Sequence, residues 1–176
     1  MIELIRETFQ SYYVYIKFVH LLAVMIWSWS TSVAFVWYLR EAWREWAENP
    51  TDSILTARRN WVFEQFDKGV VLEHIAFPII LLTGPILLVL SDWPLLTPWI
   101  LLKIMIVVFV FLPIEVFDYW ISHFGLTKIE LRRSNNMIAY ERFIKMHWLF
   151  FRIVTPFIII FVPFTIFLAV VKPSLW

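Results

Sequence analysis

The stretch FVHLLAVMIWSWSTSVAFVWYL, residues 18–39, runs for 22 positions without an Asp, Glu, Lys or Arg. A helix needs about 20 apolar residues to cross the hydrocarbon of a bilayer, so this segment predicts a membrane span. Three further runs share its character. Val70–Leu90 is interrupted only by Glu73 and His74, Trp93–Ile114 only by Lys103, and Ile153–Val171 carries no charge. The whole chain agrees, with 61% hydrophobic residues, 16% charged residues and a mean hydropathy of +0.73. Few soluble domains have so little charge. The expected fold is all-α, an integral membrane four-helix bundle forming a single domain over residues 1–176. Its spans lie near 13–39, 69–91, 99–122 and 149–171, with long loops at 40–68 and 123–148.

Basic residues set the expected orientation. Arg40, Arg44, Arg58, Arg59 and Lys68 fall in the first connection, and Lys128, Arg132, Arg133, Arg142 and Lys145 in the third. The short connection 91–98 has none. The positive-inside rule therefore predicts both long loops in the cytoplasm and both termini on the external, periplasmic side. This topology belongs to a multi-pass protein of a bacterial inner membrane. The start shows no cleavage pattern of a secretory signal, so the first span is expected to be retained. Cysteine is absent, which excludes disulfides and thiolate chemistry. A net charge of +1 gives no argument for a nucleic-acid partner, and none is expected.

Two connections have readable detail. Arg40, Glu41, Arg44 and Glu45 stand at helical pairing distances beyond the first span, before Asn49-Pro50 breaks the helix. RRNWVFEQFDK (58–68) mixes aromatic and charged residues, the pattern of a segment lying along a membrane surface. Ser134-Asn135-Asn136 marks a turn. Pro78, Gly84 and Pro85 predict a bend in the second span, and Pro156 and Pro163 one in the fourth.

Titratable residues within a bilayer are costly and point to function. Lys17, His20, Val24, Trp27 and Thr31 advance by threes and fours, so they form one stripe about 80° wide on the first helix. His20 suits either a hydrogen bond to a neighbouring helix or an axial bond to haem iron, with Trp27 packing the macrocycle. Lys17 reads as a snorkelling cation at the interface, and Lys103 opens the third span on the same side. A second group gathers at the opposite end: Glu73, His74, Glu115, Asp118, His123, His147 and Arg152. It suits an ion-pair network of Arg152 with Glu115 or Asp118. It equally suits a transition-metal site on His74, His123 and His147, or a haem held by two of them. His20 lies 20 residues before Arg40, about 30 Å along a helix, so on straight helices it stands too far from His74 to share one iron.

Lys17, His20 and Trp27 in the first span, Trp99 and Lys103 opening the third, and FFR (150–152) leading through a proline to VVKP (170–173) resemble the HemJ-type protoporphyrinogen oxidases. The same residues resemble, more loosely, the membrane domain of CopD-like copper-resistance proteins. Glu115 stands where the first family usually carries a Tyr-His or similar pair, and Val154-Thr155 replaces its Asn-Glu. The resemblance implies a helical protein of haem b, one or two per chain, with His20 and Lys103 at its essential histidine and lysine. His20, His74, Trp27, Lys17 and Arg152 are the expected cofactor contacts, and Lys103, Glu115 and Asp118 the expected catalytic groups. The expected activity is electron transfer, or oxidation of protoporphyrinogen IX by removal of six hydrogens. Partners are then lipid and a hydrophobic redox substrate or quinone, with a second copy or another membrane protein alongside. Copper handling through His74, His123, His147 and the nearby carboxylates is the competing expectation, and an accessory subunit of a larger complex the third; His20 is a metal ligand in the haem reading.

Overall fold

A computed structural model describes residues 2–123 and 127–174. Helices α1 (Ile2–Phe9), α2 (Tyr13–Ala34) and α3 (Arg40–Glu48) follow one another through a 3₁₀ turn and a π-helical segment at Phe35–Leu39. Glu3–Glu48 makes a continuous rod of 46 residues, about 70 Å long at 1.5 Å per residue. Asn49 leaves helical geometry because Pro50 disfavours it in the preceding residue. Helix α4 (Ser53–Gly69) begins where the Asp52 carboxylate accepts from the amides of Ile54 and Leu55, at 2.7 and 3.2 Å. Val70 passes the chain into α5 (Val71–Leu90). A short connection with Asp92 at φ 61° leads to α6 (Pro98–Ile106), a π-helical segment at Val107–Phe111 and α7 (Leu112–His123). Helix α8 (Lys128–Arg133) starts in a capping box between Thr127 and Glu130. The expected turn at Ser134–Asn136 follows, with Asn135 at φ 57°, and Asn136 caps α9 (Met137–Val171).

Four helical stretches are long and apolar enough to cross a membrane: the first rod, α4 with α5, α6 with α7, and α9. No strand occurs among the described residues. The connections expected as loops are largely helical: α3 and α4 fill most of 40–68, and α8 with the start of α9 most of 127–148; residues 124–126 lie outside the description. Helix α2 packs along α5, and α6 along α9.

Packing differs between the two ends. At the end bearing the basic connections, hereafter the basic end, Leu39, Phe63, Val70, Tyr140, Ile144 and Phe151 are fully buried. At the opposite, terminal end, only Leu168 reaches that degree of burial. Helix α4 turns part of the segment expected to lie along a membrane surface into the bundle. Arg59, Phe63, Glu64 and Phe66 are buried, while Trp61 is exposed. The charged residues go inward because each finds a partner there. Arg59 bonds Asn60 and Glu141 and lies 4.1 Å from the Trp46 ring centre. Glu64 takes a fork from Arg132, at 2.7 and 2.8 Å, and the Tyr140 hydroxyl at 3.1 Å.

Candidate functional site

The expected site residues fall into two groups. At the terminal end, His20 on α2 is half-buried against α5, with Nδ1 2.8 Å from Thr83 Oγ1. The Thr83 hydroxyl spends its proton on the Ile79 carbonyl at 2.6 Å. Its oxygen can then only accept from His20, which places the imidazole proton on Nδ1 and leaves Nε2 as the bare nitrogen. No other described residue engages Nε2. Gly84 packs beside the ring: a Cβ there would meet Cε1 at an ordinary contact distance of 3.6 Å. Lys103 on α6 is half-buried, within electrostatic reach of His20, and forms no ion pair among the described residues.

Other members of the first-helix stripe behave differently. Lys17 is exposed, as a snorkelling cation requires. Trp27 is 4% exposed, packs on Phe77 and Phe111, and donates Nε1–H to Glu115 Oε2 at 2.8 Å. It is a core residue that pins a carboxylate, not a surface for a macrocycle. The side chain of Thr31 is outside the description. Met25 and Met105 are both exposed outward.

At the basic end the groups form a chain. His123, exposed at the end of α7, meets His74 across 2.7 Å between Nε2 and Nδ1. His74 turns Nε2 to Asp118 Oδ2 at 3.3 Å. The other carboxylate oxygen, Oδ1, faces His147 Nε2 at 3.4 Å. His147 Nδ1 lies 2.7 Å from the buried Lys128 ammonium, which is 2.5 Å from Asp67. An ammonium donates only, so His147 Nδ1 accepts and Nε2 carries its proton. Asp118 is thus an anion with an imidazole on each side. Glu73 accepts from Ser30 at 2.7 Å, binding α5 to α2.

His20 sits level with Thr83, nine residues beyond His74 on α5, about 13 Å along the helix, so the two stand too far apart to share an iron, as expected for straight helices. Other positions correct expectations. His74 and His147 turn both ring nitrogens to other side chains. Arg152 pairs with neither Glu115 nor Asp118. It is exposed, one position past the inward-facing Phe151, and so rotated about 100° away from the interior. No group of three or more His, Asp and Glu among the described residues is arranged to hold a metal ion. The histidines expected to gather around copper are strung along a line instead.

Sequence reading missed Thr83, Ser30, Asp67 and Lys128 as partners. Their burial depends on which helix faces which, and no local pattern announces that. No family model, curated protein or solved structure matches this chain.

Proposed function

We propose that this chain is a multi-pass redox protein of a bacterial inner membrane, with its termini outside and its basic end in the cytoplasm, that binds haem b through His20. The observation that carries the reading is the His20–Thr83–Ile79 hydrogen-bond series. It sets the tautomer in which Nε2 offers a lone pair, and it supplies the outer hydrogen bond that ligating histidines commonly make. An unpaired ammonium at that depth is expensive. Lys103 therefore favours a ligand that brings its own carboxylates, such as the propionates of haem or of protoporphyrinogen IX. The bare imidazole nitrogen and the unpaired cation fit a porphyrin's needs.

Bound haem b would supply a one-electron ferric–ferrous couple. The chain's own residues do the rest. His20 holds and orients, Lys103 neutralises an anionic edge, and Glu115 and Asp118 take up protons when charge changes in the apolar interior. Electron transfer with a membrane-soluble partner and oxidation of protoporphyrinogen IX are both consistent with this arrangement. The test is a reduced-minus-oxidised spectrum of detergent-purified protein supplemented with haem. Wild type should show a b-type signal, His20→Ala should lose it, and His74→Gln should keep it. A wild-type sample without a Soret band would overturn the proposal.

A further inference from the structure

We propose that His123, His74 and Asp118 form a proton relay that connects the surface of the basic end to carboxylates inside the bundle. This goes beyond the haem reading and does not depend on it.

The argument rests on order and polarity. His123 is exposed, whereas His74 is 9% and Asp118 2% exposed. The three are linked at 2.7 and 3.3 Å, so a surface imidazole reaches a buried anion through one intermediate ring. Asp118 is ionised between two imidazoles, so His74 donates to it from Nε2 and keeps Nδ1 as an acceptor. His123 must then donate its Nε2–H to His74, leaving its own Nδ1 bare. Each ring carries a proton on its inward side and a lone pair on its outward side.

Transfer then balances. Hydronium at the surface gives a proton to His123 Nδ1 and becomes water; His123 passes its Nε2 proton to His74 Nδ1; His74 passes its Nε2 proton to Asp118 Oδ2. One N–H bond forms and one breaks at each ring. The net change is one proton moved from hydronium to the carboxylate, which becomes neutral. The ionised Asp118 receives it on Oδ2, the oxygen that faces His74 Nε2 at 3.3 Å. Glu115 lies one turn further inward on the same helix and is electrostatically coupled to both Asp118 and His74, so it is the next carrier.

The surroundings guard this line. The Tyr119 ring packs against both imidazoles, with centroids at 5.2 and 4.8 Å. Glu73 on α5 is held by Ser30 of α2. From α4, α8 and α9 come Asp67, Lys128 and His147, which form the second, buried arm on Asp118. Lys128 is 2% exposed, so that arm has no comparable opening to water.

The test is a pH jump on the full chain in lipid nanodiscs, followed by time-resolved infrared absorption of protonated carboxyl groups, without haem. Acidification should raise a carboxyl band that Asp118→Asn or Glu115→Gln removes. His123→Gln should slow its rise by tenfold or more without changing its final height. Imidazole in the buffer should restore the rate in His123→Ala, a rescue that a structural role for His123 does not explain. The relay is overturned if His123→Gln keeps the wild-type rate, if neither carboxylate variant removes the band, or if no band forms. Because His123 is exposed, its variants fold even where a His74 variant fails.

Discussion

The two ends of the bundle handle the same problem, charge in an apolar setting, in opposite ways. At the basic end Lys128, His147, Asp118 and His74 are buried together beside the partly exposed Asp67, and each faces a partner of complementary polarity. At the terminal end His20 and Lys103 are half-buried, Lys103 has no carboxylate, and His20 keeps one nitrogen bare. The difference teaches that the basic end meets most of its charge internally, although Asp118 Oδ1 and His147 Nε2 face each other without a hydrogen bond, whereas the terminal end leaves Lys103 and His20 Nε2 unmatched among the described residues. Paired buried charges hold a structure in register; the unmatched groups are what the proposed ligand would engage.

Removing the same type of residue from each end should separate the two roles. Lys128→Met strips the donor from Asp67 and His147, and should destabilise the protein by about 3 kcal/mol. In thermal unfolding in detergent, followed by circular dichroism, the midpoint should fall by roughly 10 °C. An unchanged midpoint would break the comparison.

Trp27→Phe takes the only direct donor from the Glu115 Oε2 contact while keeping an aromatic core residue. The expected cost is about 2 kcal/mol in the same assay, because a buried acceptor loses its hydrogen bond. Glu115→Leu added to Trp27→Phe should recover part of it, since replacing both partners leaves no orphaned acceptor.

Lys103→Met should act in the other direction. Without its ligand the protein should gain about 1 kcal/mol, since a cation without a counterion leaves the bilayer interior. The same variant should hold haem about tenfold more weakly in spectral titration. A loss of stability in the ligand-free protein would show that Lys103 has a structural partner.

Gly84→Ala gives the smallest effect. Its Cβ meets His20 Cε1 at an ordinary contact distance of 3.6 Å, so the helix should gain about 0.5 kcal/mol from the better former. A pronounced drop in haem retention with intact stability would locate the bound ring against this face of α5.

Much of the fold is legible in the residues. The charge-free run 18–39, the three companion runs and the short connection at 91–97 are enough to expect four long apolar helices, because length and hydropathy act locally. Asn49-Pro50 and Ser134–Asn136 end helices through their own backbone preferences. The cytoplasmic-looking segment 58–68 was less readable. Its charges suggest solvent, yet Arg59 and Glu64 turn inward because Glu141, Arg132 and Tyr140 arrive from residues far along the chain. Arg152 is the reverse case: spacing offered it to Asp118, and one step of helix rotation takes it outward.

By itself the sequence determined the spans, the basic asymmetry of the connections, the depth that separates His20 from the other histidines, and the lack of thiol chemistry. Only the tertiary structure decided that Asp118 stands between two imidazoles, that Trp27 binds Glu115, and that Thr83 sets the tautomer of His20. The physical reason is one of range. Hydropathy and helix length are summed along neighbouring residues, whereas a hydrogen bond across 2.8 Å depends on how whole helices rotate and slide against one another.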